Sequence, residues 1–143
     1  MKLLDLNLLL HAVNDASDQH RAARRWLDRV LGSSETIGIP WVVLLGFLRL
    51  ATNKHVFTKP LTVAQALDIV QGWLDHPQVR AISPGDDHWT ILEPLLTKAN
   101  ASGNLTTDAH LAALAIEHGC ELCTTDGDFA RFSGLRWRNP LAT

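Results

Sequence analysis

The sequence predicts an α/β domain with a short, mostly parallel sheet and helices on both faces. Two observations predict it. Short apolar segments bounded by turn residues alternate with longer segments of helical period, the pattern of strands alternating with helices. The chain is also long and apolar enough for one globular core: 143 residues, 46% hydrophobic and 20% charged. A chain of that size needs no disulfide staples. It is expected to form a single domain over residues 1–143.

The elements follow in order. "KLLDLN" at 2–7 reads as a short buried strand. "SDQHRAARRWLDRVLG" at 17–32 reads as a helix capped by Ser17 or Asp18, with Ala22, Ala23, Trp26, Leu27 and Val30 as its apolar stripe. "ETIGIP" at 35–40 is a second strand stopped by Pro40, which suits the first turn of the helix "WVVLLGFLRLATN" at 41–53. "TVAQALDIVQGWLDHP" at 62–77 is an amphipathic helix capped by Thr62. "VRAIS" at 79–83 is a third strand. "DDHWTILEPLLTKANASG" at 86–103 is a helix in which Pro94 removes a hydrogen bond, so a kink or break is expected near Glu93. "NLTTDAHLAALAIEHG" at 104–119 carries apolar residues mostly three and four apart, one face of an amphipathic helix that Gly119 ends. "ELCTT" at 121–125 is a fourth strand, "GDFARF" at 127–132 a helical turn, and "LRWRNP" at 135–140 a last short strand.

Bulk charge excludes a globally basic nucleic-acid grip. The formal net charge is −2, so any nucleic-acid site must be local. No stretch has the length of a membrane span or the form of a signal peptide, which points to a cytoplasmic protein. The two cysteines, Cys120 and Cys123, have a C-x-x-C spacing but no second pair; they read as small residues on a strand.

Carboxylates stand out against this background. Asp5 ends the first strand inside "LLDLNLLL", apolar on both sides. A carboxylate there must be hydrogen-bonded, paired with a cation, or binding one. Asp126 follows the fourth strand directly, with Thr124 and Thr125 supplying further oxygens, and Asp128 comes two residues later. D-G-D is also ordinary turn chemistry. Asp108 lies in the first turn of its helix, where the macrodipole alone is worth roughly 0.3–1 kcal/mol to a carboxylate. In open α/β folds, sites gather at the carboxyl ends of strands. Oxygen-only ligands drawn from scattered positions suit a hard cation, Mg²⁺ or Mn²⁺. Such an ion activates water and neutralises charge on a phosphodiester.

Five stretches in order, "LLDLNLLLHA" at 3–12, "PWVVLLGFLRLATN" at 40–53, "GNLTTDAHLAALAIEHG" at 103–119, "TTDGDFARF" at 124–132 and "LRWRNPL" at 135–141, resemble the PIN-domain ribonucleases. More closely, they resemble the toxins of VapBC toxin–antitoxin pairs. The resemblance implies a PIN-like three-layer sandwich and a metal-dependent endoribonuclease that cuts single-stranded or loop RNA, such as tRNA or rRNA. It also implies a VapB-type antitoxin covering the site, and a homodimer. Carried onto this sequence, Asp5, Asp108 and Asp126 become the catalytic metal ligands, with Asp128 as a further ligand. Asn7, Asn104 and Thr125 become supporting or phosphate-contacting groups. Arg49, about one helical turn after Gly46, reads from its position as a contact for an RNA phosphate or the antitoxin, or as a solvent-facing arginine.

One position departs from the family pattern. Many members carry a glutamate inside the helix that here reads "WVVLLGFLRLATN", where this chain has Gly46 and no acidic residue in the helix. One bound ion is therefore expected rather than two. Glycine inside a helix costs roughly 0.8–1.0 kcal/mol relative to alanine, so Gly46 is expected to serve either close packing or space left at the site. If it holds the family's glutamate position, that space is expected to be filled by water or by Asp128.

Other features have plainer readings. Arg21, Arg24 and Arg25 form a solvated basic face. His11 and His110 lie near the site in sequence but are not needed for catalysis. The tryptophans sit at packing positions. Two competing functions remain. A non-catalytic PIN-fold module would bind RNA or antitoxin without cutting. A haloacid-dehalogenase-type phosphatase needs D-x-D, whereas this chain has D-L-N and no following lysine motif.

Overall fold

The computed structural model describes residues 1–142; Thr143, the last residue of the expected domain, lies outside them. The described residues form five strands and six α-helices: β1 (Lys2–Leu4), α1 (Leu6–Val13), α2 (His20–Leu31), β2 (Ile37–Pro40), α3 (Trp41–Ala51), α4 (Val63–Leu74), β3 (Val79–Ile82), α5 (His88–Ala99), α6 (Leu105–Glu117), β4 (Glu121–Cys123) and β5 (Trp137–Arg138). A 3₁₀ turn spans Gly127–Arg131.

The strands form one sheet in the order β3-β2-β1-β4-β5, and every pairing is parallel. The chain steps one way from β1 to β3, then crosses back over β2 and β1 to reach β4. Right-handed crossovers place α1–α4 on one face and α5 and α6 on the other. The reversal falls between β1 and β4, and a crevice opens there at the carboxyl ends of the strands.

Sequence and structure differ in several places. The first strand stops at Leu4, and residues 6–13 form a helix instead of continuing it. Asp5 makes the switch: it is extended, and its side chain accepts from the Leu6 N–H, the geometry of an N-cap. A short apolar run carries no period that separates strand from helix, so the cap decided the matter. α2 begins at His20, later than expected, with no side-chain cap of its own. Ser17 Oγ instead accepts from the Gln19 N–H at 3.1 Å in the preceding turn. Ala22 is exposed, while Ala23, Trp26, Leu27 and Val30 are buried. Pro40 pairs as the last residue of β2 and precedes α3 as its N-cap.

α5 runs through Pro94 without the break expected near Glu93. The proline removes one hydrogen bond, and packing on α6 carries the helix across the gap. α4 is capped as expected, by Thr62 in a reciprocal pair with Gln65.

α6 is less amphipathic than its spacing implied. Leu111, Ala112, Ala113, Leu114 and Ala115 are all buried. A helix apolar on all sides is a core helix, and its alanines let α5 and β4 approach closely. Gly119 ends it with φ 65°, a conformation that costs side-chain-bearing residues. Cys120 and Cys123 are free and buried; Cys123 lies on β4, and Cys120 just before it. Among the described residues, no helix is long and apolar enough to cross a membrane.

Candidate active site

The crevice between β1 and β4 is built around Asp5, whose residue is only 7% exposed. Its backbone N–H donates to the Cys123 carbonyl at 3.0 Å, the last rung between the two central strands. Asp5 Oδ1 accepts from the Leu6 N–H at 2.6 Å. Oδ2 accepts from Thr124 Oγ1 at 2.7 Å and from Asn7 Nδ2 at 3.3 Å. A buried carboxylate without such donors would be untenable.

Thr124 is the hub of this arrangement and is fully buried. Besides donating to Asp5, its hydroxyl accepts from Asn7 Nδ2 at 3.2 Å and from the Asp126 N–H at 3.0 Å. One donor and two acceptor sites are then all used. Asn7 completes the bridge by accepting from the Thr125 N–H at 3.2 Å. Thr125 thus contributes its backbone, and the structural oxygen comes from Thr124. Alternation along an extended segment was the signal that could have separated the two threonines.

Asp126 caps the 3₁₀ turn: its Oδ1 accepts from the Asp128 N–H at 2.8 Å. Arg131, at the far end of that turn, donates from Nε to the Asp128 carbonyl at 3.0 Å, and its guanidinium lies 3.7 Å from Asp128 Oδ1. The sequence reading had not singled out this arginine.

Asp108 reaches the same crevice from the first turn of α6. Burial, followed by the charges of Asp126, Asp5 and Asp128, pushes its carboxyl up to about 6, with Arg131 opposing. Burial also raises Asp5, against the hydrogen bonds from Thr124 and Leu6, and Asp126 adds to the rise. Asp108 thus feels three neighbouring carboxylates, and Asp5 feels Asp126. Among the described residues, no group of three or more His, Cys, Asp or Glu side chains is placed to hold a metal ion.

The remaining candidates sit apart from this network. Asn104 precedes α6, exposed and without a side-chain capping bond. Arg49 is exposed on α3. His11 Nδ1 pairs with Ser17 Oγ at 2.7 Å, and His110 Nδ1 pairs with His88 Nε2 at 2.9 Å. Gly46 is buried against α1: a Cβ there would stand 2.8 Å from Leu6 Cδ2. The space beside Gly46 is filled by Leu6, not by water or Asp128, so of the two expected justifications for this glycine it is close packing that the structure shows. The physical reason is that Leu6 follows the capping Asp5 and turns its side chain onto α3.

Comparison with known proteins agrees with this architecture. The PIN domain family's sequence profile matches residues 2–135. The chain is 44% identical over 142 residues to Ribonuclease VapC37 of Mycobacterium tuberculosis, covering 99% of each. Among solved structures it resembles VapBC2 from Rickettsia felis bound to a DNA fragment from their promoter, with a TM-score of 0.70, 21% identity and 96% of each chain covered. It also resembles Mycobacterium tuberculosis VapC20, a sarcin-ricin loop cleaving toxin, with a TM-score of 0.68, 17% identity and coverage of 95% of this chain and 99% of that one. With this sequence likeness along nearly its whole length, the chain belongs to the PIN-domain family, among the VapC ribonucleases.

Proposed function

We propose that this chain is an endoribonuclease toxin of a type II toxin–antitoxin pair, cutting single-stranded or loop RNA such as tRNA or rRNA with Mg²⁺ or Mn²⁺. The observation that carries the proposal is the carboxylate crevice, where Asp108 is pushed up to about 6 by burial and by three neighbouring aspartates. Like charges gathered in a partly buried place are unfavourable unless a cation joins them. The donors are all hard oxygens, which favour magnesium or manganese over softer metals. Three donors use Asp5, and a carboxylate has roughly four acceptor sites, which leaves one for an ion. The residues fit the group. Asp5, Asp108 and Asp126 would hold it, with Asp128 beside them. When bound, the ion supplies water activation and charge neutralisation at a phosphodiester.

This chain's own residues do the rest. Thr124 and Asn7 fix the Asp5 carboxylate, so that little reorganisation is needed on loading. Arg131 provides positive charge at the rim for a phosphate. A VapB-type antitoxin would silence the enzyme by covering this crevice. The exposed apolar side chains of α3, Trp41, Val42 and Leu45, would serve a homodimer or that antitoxin.

The test is cleavage of labelled RNA with Mg²⁺ or Mn²⁺ against chelator, comparing wild type with Asp108→Asn. The variant should keep its fold and lose at least about 100-fold in rate, and its expression without antitoxin should no longer arrest growth. Unchanged cleavage by Asp108→Asn would overturn the assignment. A non-catalytic binding module is the second reading, favoured by Gly46 and by the lack, among the described residues, of three His, Cys, Asp or Glu side chains placed to hold an ion. RNA binding without any metal-dependent cleavage would select it.

A further inference from the structure

We propose that the cavity between α5, α6 and the segment after the 3₁₀ turn is a subsite for one nucleotide of the RNA substrate, flanking the phosphate to be cut. The inference rests on the ribonuclease reading above. The cavity holds about 350 Å³, the size range of small-molecule sites. Ile91 and Pro94 of α5 and Ile116 of α6 form an apolar floor, and Lys98, Arg131 and Ser133 line it as well. Aliphatic side chains with two cations among them suit a nucleotide: the base is covered by apolar surface without aromatic stacking, and phosphates meet the charges. Ser133 adds a hydroxyl for the ribose.

Arg131 joins this cavity to the carboxylates. Its guanidinium lies 3.7 Å from Asp128 Oδ1, and its charge is felt at Asp108. A strand whose scissile phosphate lies among four aspartates meets repulsion on all sides unless cations flank them. The net charge of −2 means that those cations must be placed locally. Lys98 is exposed and takes part in none of the ion pairs among the described residues.

Two larger clefts fit an RNA strand less well. The cleft between α1, α2 and α4 carries Asp28 and Asp68 against Arg24, and nothing ties it to the crevice. The cleft beside β1 and β5 contains Lys2, Arg29 and Arg138. There Lys2 is paired with Glu35 and Arg138 with Glu121, and Lys2 opens β1 at the end opposite Asp5.

The experiment uses the full chain with a short fluorescein-labelled oligoribonucleotide of mixed sequence. Binding is followed by anisotropy in chelator across a salt series, and steady-state cleavage is measured with Mg²⁺. Lys98→Ala should weaken binding and raise KM about three- to tenfold with kcat unchanged. The slope of log affinity against log salt should shrink by about 0.7 for the one lost phosphate contact. Lys98→Glu should do more, Lys98→Arg should restore wild-type values, and Arg21→Ala on α2 should change nothing. If wild type cuts RNA while the Lys98 variants keep its KM and salt slope, the subsite is wrong and the ribonuclease reading stands. If wild type neither binds nor cuts RNA, both fall. Lys98 variants that lose only their affinity for a protein partner would reassign the cavity to protein docking and overturn the proposal.

Discussion

A single hydroxyl joins the two central strands at the crevice. Thr124 Oγ1 holds Asp5, Asn7 and the Asp126 backbone at once. Thr124→Val keeps the shape but takes one partner each from Asp5 and Asn7, which keep their bond to each other, and strands the Asp126 N–H, so urea unfolding should show a loss of about 1–3 kcal/mol. Thr124→Ser keeps the hydroxyl and should stay closer to wild type than the valine variant. Gly46 is the second informative residue. Its new Cβ in Gly46→Ala would meet Leu6 Cδ2 at 2.8 Å, the movable end of a side chain. Removing glycine from a helix interior favours folding by about 0.8–1.0 kcal/mol, and displacing Leu6 opposes it. The single variant should therefore lie within about 1 kcal/mol of wild type. In a Leu6→Ala background the same change should stabilise by nearly its full helix value. A double-mutant cycle measures the coupling, and zero coupling would mean that Leu6 does not fill this space.

The pair α5 and α6 shows how an element survives an unfavourable residue. Pro94 lies inside α5 and leaves the Thr90 carbonyl without its helical donor. Pro94→Ala should raise stability by about 1–3 kcal/mol in thermal or urea unfolding; a loss would show that the proline is needed where it is. The far end of α6 grips the start of α5. Glu117 accepts from the Gly85 N–H at 2.9 Å and the Asp87 N–H at 3.1 Å, and His88 Nδ1 stands 3.6 Å away. The Gly85 N–H first, then the Asp87 N–H, hold the Glu117 carboxyl below its ordinary 4.5. A carboxylate lowered on folding stabilises fully above its unfolded value and loses that contribution as pH falls through the folded one. Glu117→Gln should therefore cost about 0.5–1 kcal/mol near neutral pH. The difference from wild type should close progressively below pH 4.5. A gap that stays constant into acid would mean that the charge does not matter.

Across the whole molecule, the crevice couples metal loading to stability. Any ion bound only by the folded chain stabilises it, by about 2.7 kcal/mol at a hundred times Kd, and so raises its melting temperature with concentration. Mg²⁺ or Mn²⁺ should do this for wild type, as read by calorimetry. Asp108→Asn should lose most of the metal-dependent shift. In chelator the same variant should melt no lower than wild type, because it removes a carboxylate that burial and three aspartates disfavour. An equal metal response in both proteins would remove Asp108 from the ligand set.

Local sequence determined much of this protein. Alternating periods gave the strands and most helices, Thr62 gave the cap of α4, and Gly119 gave the end of α6. The carboxylates at chain positions that leave strands, together with the ordered motifs, named the family. Other features were decided only in three dimensions. Asp5 as an N-cap, and therefore α1 itself, depended on where β1 stops pairing with β4. Leu6 closing the space beside Gly46 depended on α1 lying against α3. Thr124 rather than Thr125 became the structural oxygen because the backbone at the end of β4 points one side chain inward to Asp5. Arg131 gained its meaning only when the 3₁₀ turn brought it beside Asp128 and within electrostatic range of Asp108. The reason is common to all four. Period, capping and turn chemistry are local and can be read along the chain, whereas a buried hydrogen bond or a filled cavity is set by groups up to 119 positions apart, whose distance only the packed sheet defines.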